Sequence, residues 1–359
     1  MFALFRVDAS EQLGTGHVMR CLTLAESLKT KGALCEFICR NLKGNLINFI
    51  RKKGFKVHVL SDRLEAFHVL PDERPFSEEV QNKDAIETIR CLETNKKIDW
   101  LVVDHYGFDY CWELALRKAA DKLMVIDDLA NRKHDCDLLL DQNYYSNLEH
   151  RYDNLVPQKC RLLLGPKYTL LRAEFRKARE NLRKREGIVR RILIFLGGAD
   201  PKNLTEMALL AVLQLNKPEI QVDIVVSEIN PHKNKIKSLC DKNLQLHYYC
   251  NISNMAELMT KADLAIGAGG STTWERCCLG LPCLALAFTR NQIPIVQNAA
   301  KISCLFYLED SQNISCEKIM YNIQLAINDS YSLKQVSQNC LSLIDGDGCF
   351  RILQKMITL

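Results

Sequence analysis

The chain has 359 residues, of which 47% are hydrophobic and 25% charged, so it is neither disordered nor a small disulfide-stapled scaffold. Its length calls for two domains of moderate size. A net charge of +5 is too small to mark a nucleic-acid groove, and no apolar run is long enough to span a bilayer. The sequence opens directly on a strand-like run, without the basic, apolar and small-residue succession of a secretory leader, which makes a cytoplasmic location the expectation. The sixteen cysteines are scattered with no C-x-x-C pair, and many lie in apolar runs such as "PCLALAF"; they read as reduced core residues.

In chain order, short apolar runs alternate with helix-length amphipathic segments. The first half offers "ALFRVDA", "CEFIC", "KVHVL", "DWLVVDH", "KLMVIDD" and "DLLLDQN" as strands, with "HVMRCLTLAESLKTKG" and "NLINFIRKKG" as helices. The second half offers "RILIFLG", "QVDIVV", "LQLHYY", "DLAIGA", "CLALAF" and "LFYLE", with helices at "NLTEMALLAVLQL", "NMAELMTKA", "TTWERCCLGL" and "PIVQNAAKI". Continuous apolar strands separated by helices are the pattern of parallel sheets covered on both faces. Two Rossmann-like, doubly wound α/β domains facing a cleft are therefore predicted. The charged stretch "RAEFRKARENLRKREGIVRR" reads as a solvated helix or linker and sets the boundary: residues 1–180 form one domain, and residues 181–359 the other, ending in a helical tail.

Ligands of such sheets sit beyond the carboxyl ends of the strands, which singles out four stretches. "VDASEQLGTGH" has Met19 where a dinucleotide fingerprint needs its third glycine, and it lacks the G-K-[ST] of a P-loop. What remains is a glycine turn, Gly14 and Gly16, opening a helix with His17 in its first turn. The partial positive charge there disfavours imidazolium, so His17 is either a general base or a packing histidine at a strand–helix turn. "GAGGSTTWE" combines a strand, a glycine turn and a helix start. Its amides at Gly269, Gly270, Ser271 and Thr272, with two hydroxyls, suit a diphosphate, and Glu275 one turn on suits ribose hydroxyls; the alternative is a tight packing turn. "FTRNQ" brings Asn291 and Gln292, donors and acceptors for a sugar or its amides, or a plain helix cap. Asp104, His105, Tyr106, Asp127 and Asp128 end neighbouring runs; a metal set is a minor alternative to simple turn capping.

Taken together, "RVDASEQLGTGHVMRCLTLA", "VVDHYG", "IDDLANRKHDCDLLLDQN", "LLGPKYTLLRAEF", "FLGGAD", "AIGAGGSTTWE" and "FTRNQ" resemble the UDP-sugar hydrolases of pseudaminic acid biosynthesis (the PseG family) and, more distantly, GT-B glycosyltransferases. The resemblance runs from the first strand to about residue 310. It implies hydrolysis of UDP-2,4-diacetamido-2,4,6-trideoxy-β-L-altropyranose to UDP and the free sugar, with water attacking the anomeric carbon, C–O cleavage and inversion. It implies His17 as base, Gly14 and Gly16 in the turn against the substrate, and Tyr106 and Asn291, with its neighbour Gln292, at the sugar. Gly269, Gly270, Ser271 and Thr272 would lie at the diphosphate, Glu275 at the ribose, and Arg172 near the hinge. UDP is already a good leaving group, so neither a metal nor another cofactor is expected. A monomer acting on a nucleotide sugar, with no nucleic-acid or membrane partner, completes the expectation. A glycosyltransferase with a UDP-sugar donor, or a non-catalytic nucleotide-sugar binder, would share most of these features.

Overall fold

A computed structural model describes residues 1–62, 74–92, 97–198 and 200–359; of the stretches noted above, Ala199 in "FLGGAD" lies outside them. The chain divides into two units, Met1–Leu170 with Asp347–Leu359, and Leu171–Gly346.

The first unit runs β1 (Phe2–Val7), α1 (Gly16–Lys29), β2 (Leu34–Arg40), α2 (Ile47–Lys52), β3 (Lys56–Leu60), α3 (Glu78–Cys91), β4 (Ile98–Asp104), α4 (Tyr110–Leu116), β5 (Ala120–Ile126), β6 (Leu138–Asp141) and β7 (Arg161–Leu164). Its seven strands are parallel in the order β3-β2-β1-β4-β5-β6-β7. The order reverses between β1 and β4, so the loops after these two adjacent strands frame the ligand crevice of an open α/β sheet. Apolar spacing makes α1: Val18, Cys21, Leu22, Ala25 and Leu28 form one buried stripe that packs with Phe5, Val7 and Phe37. The other sheet face buries Leu4, Ile38, Leu101, Val103 and Trp112.

Helix α3 is built the other way round. It buries Gln81, Asp84 and Thr88 and leaves Ile86 and Ile89 exposed. The reason is charge: Asp84 accepts from Arg6 (2.7 Å), Arg40 (2.7 Å) and the Trp112 indole (2.9 Å), and both arginines are fully buried strand residues. Burial would raise the Asp84 carboxyl, but the two guanidiniums outweigh it and hold the group at about 2.

The second unit runs α5 (Ala173–Arg179), β8 (Arg191–Phe195), α6 (Leu204–Gln214), β9 (Gln221–Val226), α7 (Lys233–Cys240), β10 (Leu246–Cys250), α8 (Met255–Lys261), β11 (Leu264–Ala268), α9 (Thr272–Cys278), β12 (Cys283–Ala287), α10 (Gln292–Lys301), β13 (Phe306–Asp310), α11 (Cys316–Asn328) and α12 (Ser330–Leu343). Six parallel strands follow the order β10-β9-β8-β11-β12-β13, with the same reversal, here between β8 and β11. The fold class expected from the sequence, two Rossmann-like parallel α/β domains, is the one observed. All sixteen cysteines are free thiols, most of them buried, and among the described residues no helix is long and apolar enough to cross a membrane.

Two expectations need correction. The division falls at Leu170/Leu171 rather than 180/181, and the last helix, α13 (Gly348–Thr358), belongs to the first unit. Its Ile352, Leu353 and Met356 join the core on the α1 side, and the Trp100 indole donates to the Met356 carbonyl (3.1 Å). The returning chain passes so close to Thr169 that a Cβ at Gly348 would lie 2.2 Å from the Thr169 carbonyl oxygen. The charged stretch before β8 is also no solvated linker. Arg185 is buried and donates to the carbonyls of Met259, Ala262, Leu279 and Gly280, which close the ends of α8 and α9; Arg183 reaches Lys261, Ala262 and Asp263. Guanidiniums here satisfy the last helix carbonyls, where cations are favoured by the helix dipole. Removing this donor set in Arg185→Met strands several buried carbonyls and is expected to lower the stability of the second unit by about 2–4 kcal/mol. Urea unfolding checks this, and an unchanged midpoint would return the stretch to the role of linker.

Candidate active site

In the first unit the site begins where β1 stops. Asp8 is buried and accepts from the Arg40 amide (2.6 Å) and from Arg6 Nη1 (2.8 Å), which fixes the start of the loop. Ser10 Oγ accepts from the amides of Gln12 (3.2 Å) and Leu13 (3.0 Å), and Gly14 N–H donates to the Ser10 carbonyl (2.9 Å). This tight turn closes on Gly14 at φ +72°, a left-handed conformation open to glycine at no steric cost. A Cβ at Gly14 or Gly16 would meet nothing within 4 Å, so the backbone there faces open space.

His17 then lies in the first turn of α1, buried, its side chain 8% exposed. Neither ring nitrogen makes a hydrogen bond among the described residues; Nε2 stands 3.9 Å from Asp104 Oδ1. The ring meets Tyr106 edge to face, centroids 4.5 Å apart. Burial lowers the imidazole below its ordinary value, Asp104 opposes the shift and Arg20 reinforces it, so the ring is neutral at pH 7.

One turn along, Arg20 bridges two strand ends. Its Nε and Nη2 hold both oxygens of Asp104 (2.6 and 2.7 Å), and Nη1 holds Asp128 (2.8 Å). Asp128 also accepts from the Tyr106 hydroxyl (2.8 Å). The Tyr106 hydroxyl, assigned to a sugar by resemblance, is thus engaged within the protein, and its ring is what touches His17. Asp127 is paired with Arg132 (2.8 Å), and His105 lies stacked on Phe108 with Nε2 3.5 Å from Asp8. The carboxylates considered as metal ligands are therefore already answered by Arg20 and Arg132. Among the described residues no group of three or more histidines, cysteines or carboxylates is arranged to hold a metal ion. Arg20 and Arg132 are the functional partners the sequence reading left out. Arg20 could have been found, because it lies three residues after His17, on the same helical face.

In the second unit the corresponding loops follow β11 and β12. Gly269 departs from expectation: its amide donates to the Leu286 carbonyl (2.8 Å) and extends the sheet, so it is no anion donor. A Cβ there would lie 2.3 Å from Val296 Cγ1, so the residue is small because α10 packs against it. Among the described residues the amides of Gly270, Ser271 and Thr272 take part in no backbone bond outside helices and strands, and Ser271 is exposed. Buried Arg276 braces the turn from below, donating to the Ala268 carbonyl (2.8 Å), Thr272 Oγ1 (3.2 Å) and Thr273 Oγ1 (3.1 Å). Glu275 is largely buried and accepts from Arg172 Nη2 (3.1 Å); burial raises its carboxyl, and Arg172 opposes the rise. Arg172 also pairs with Glu174 (2.6 Å) and lies over Phe175. The Gln292 side-chain oxygen accepts from the Phe288 amide (3.0 Å), its amide end lies beside Gly270, and the Asn291 oxygen accepts from the Thr289 hydroxyl. The structure thus gathers Gly14, Gly16, His17 and Tyr106 in one unit, and Arg172, Gly269 to Thr272, Glu275, Asn291 and Gln292 in the other.

Residues 191–340 match the family profile of the glycosyltransferase family 28 C-terminal domain. The chain is 29% identical over 294 residues to the UDP-2,4-diacetamido-2,4,6-trideoxy-β-L-altropyranose hydrolase of Campylobacter jejuni subsp. jejuni serotype O:2, covering 81% of this chain and 93% of that protein. It is 26% identical over 351 residues to the spore coat polysaccharide biosynthesis protein SpsG of Bacillus subtilis, covering 96% of this chain and 94% of the relative. Among solved structures, MurG of Acinetobacter baumannii superposes with a TM-score of 0.65 over 100% of this chain and 99% of its own, at 14% identity. That likeness places the fold in the GT-B class of two Rossmann-like domains.

The packing role of Gly269 predicts its own test. Gly269→Ala forces the new methyl into Val296 and should cost about 1–3 kcal/mol of stability, while Gly269→Ala combined with Val296→Ala should recover at least half of the loss in urea unfolding.

Proposed function

We propose that the chain is a nucleotide-sugar hydrolase that converts UDP-2,4-diacetamido-2,4,6-trideoxy-β-L-altropyranose and water to UDP and 2,4-diacetamido-2,4,6-trideoxy-L-altropyranose. The observation that carries the reading is His17: a buried neutral imidazole without a hydrogen bond, on a glycine turn that faces open space, at the switch point of its sheet. The similarity to the Campylobacter hydrolase, spread over most of both chains, supports the substrate.

In this reading His17 takes a proton from water, and the water oxygen bonds to the anomeric carbon. The bond from that carbon to the β-phosphate oxygen breaks, its electron pair leaves with UDP, and configuration inverts. His17 then returns its proton to solvent. Attack at carbon leaves the phosphorus untouched, and UDP departs as a stable anion, so the protein's task is to place a water and a base. The first unit would supply the base. The second would hold UDP, with the amides of Gly270, Ser271 and Thr272 at the diphosphate and Glu275, restrained by Arg172, at the ribose.

The family 28 profile and the fold shared with MurG favour one competitor, transfer of the sugar to an acceptor hydroxyl. Release of UDP from the nucleotide sugar alone separates the two, since a transferase requires the acceptor. Run in H₂¹⁸O, hydrolysis places the label in the sugar; label in UDP overturns the mechanism. His17→Asn should lose about 10²–10⁴-fold in kcat while still binding UDP in calorimetry. Because the His17 imidazole lies below its ordinary value, the acidic limb of kcat/KM should fall below about pH 6.5, with activity flat from there to neutrality. A limb at or above that value would remove the histidine from the role.

A further inference from the structure

The contacts around His17 close into a ring. His17 Nε2 stands 3.9 Å from Asp104; Asp104 is held at both oxygens by Arg20; Arg20 holds Asp128; Asp128 holds the Tyr106 hydroxyl; and the Tyr106 ring returns to His17. The five residues come from the first turns of α1 and from the loops after β4 and β5, and all are buried. An imidazole with a carboxylate nearby and nothing between them is drawn toward the ion pair, that is, toward the protonated form that cannot act as a base. Here the carboxylate is already saturated from the far side.

We propose that Arg20 is the positioning residue of the site: by filling Asp104 it denies that carboxylate to His17, and by tying Asp104 to Asp128 it fixes the Tyr106 ring against the imidazole, so that His17 keeps an unprotonated nitrogen for its substrate. The charged and titratable groups that face His17 are Asp104 on β4, Arg20 on α1, Asp128 and Arg132 beyond β5, and the neighbouring His105 and Tyr106. Two cations stand against two carboxylates, and loss of Arg20 leaves the carboxylates in excess. Arg20 touches no ring nitrogen of His17 and acts through Asp104 and Asp128. The inference rests on His17 being the base of the proposed hydrolysis, but its test does not.

The test follows His17 protonation by ¹H–¹³C NMR of the full chain, the signal being assigned by its loss in His17→Asn. In Arg20→Gln the midpoint should rise by about one pH unit or more. In Arg20→Gln with Asp104→Asn it should fall back by at least half of that shift, a coupling that a merely structural role would not produce. Arg20→Lys, which keeps the charge but not the two-carboxylate bridge, should move the midpoint less than Arg20→Gln. Should Arg20→Gln fail to fold, Asp104→Asn alone carries the test and should lower the midpoint. In parallel, kcat/KM of Arg20→Gln on the altropyranose nucleotide should drop about tenfold or more at pH 6.5, one pH unit of midpoint being a factor of ten in the unprotonated fraction, and approach wild type at pH 9. A midpoint that stays put in Arg20→Gln, or that is the same in the double variant, overturns the proposal. A midpoint that moves as expected in a protein with no hydrolase activity upholds the positioning role and overturns the hydrolase reading instead.

Discussion

The Arg20 guanidinium lying between Asp104 and Asp128 is the contact on which the first unit's loops depend. Parallel strands all end on one side, so side chains just past their ends crowd into a common space. Here those side chains include Asp8, Asp104, Asp127, Asp128 and Asp141, all of them buried. An unpaired buried carboxylate costs several kcal/mol, and the fold answers each one with a guanidinium: Arg6, Arg20, Arg132 or Arg151. Bidentate arginine pairs are also directional, so loops that would otherwise drift are locked to each other. His17 stands among these paired groups and makes no hydrogen bond of its own. A rigid surround with one uncommitted base is the arrangement a proton-transfer site calls for.

The two units repeat one topology and fill it differently. In the first, the switch-point loops are dense in paired charge. In the second they carry glycines and hydroxyls, with the charge set back in Arg276 beneath the turn and in the Arg172–Glu275 pair. Backbone amides and hydroxyls can approach an anion without bringing a net charge that must be balanced when the site is empty. The contrast fits a division of labour in which one unit handles a proton and the other a phosphate.

The strands and most helices were legible because their apolar residues keep the period their burial demands. Helix α3 was not, since its buried face is Gln81, Asp84 and Thr88, and a pattern reader takes such a face for solvent. The arginines before β8 misled in the opposite direction: a run of charge looked solvated, yet Arg185 is buried among helix-end carbonyls, partners 74 to 95 residues away that no local window contains. The glycine turns and His17 were visible as motifs. What they touch was not: the Gly269 amide belongs to the sheet, and the Tyr106 hydroxyl to Asp128. Motifs announce residue types near a strand end, whereas the roles are decided by distant partners such as Glu275, 103 residues from Arg172.

Helix α13 gives the chain an order of assembly. The first unit needs residues 1–170 and again 347–359, so the second unit is an insertion within it, entered at Leu171 and left at Gly346. During synthesis from the N-terminus the second unit has its whole sequence before the first has its last helix. Until Ile352, Leu353 and Met356 arrive, the α1 side of the first sheet lacks part of its apolar cover, and it is α1 that carries His17. The final dozen residues thus act as a completion signal: the helix bearing the base is fully backed only once the chain has been made to its end.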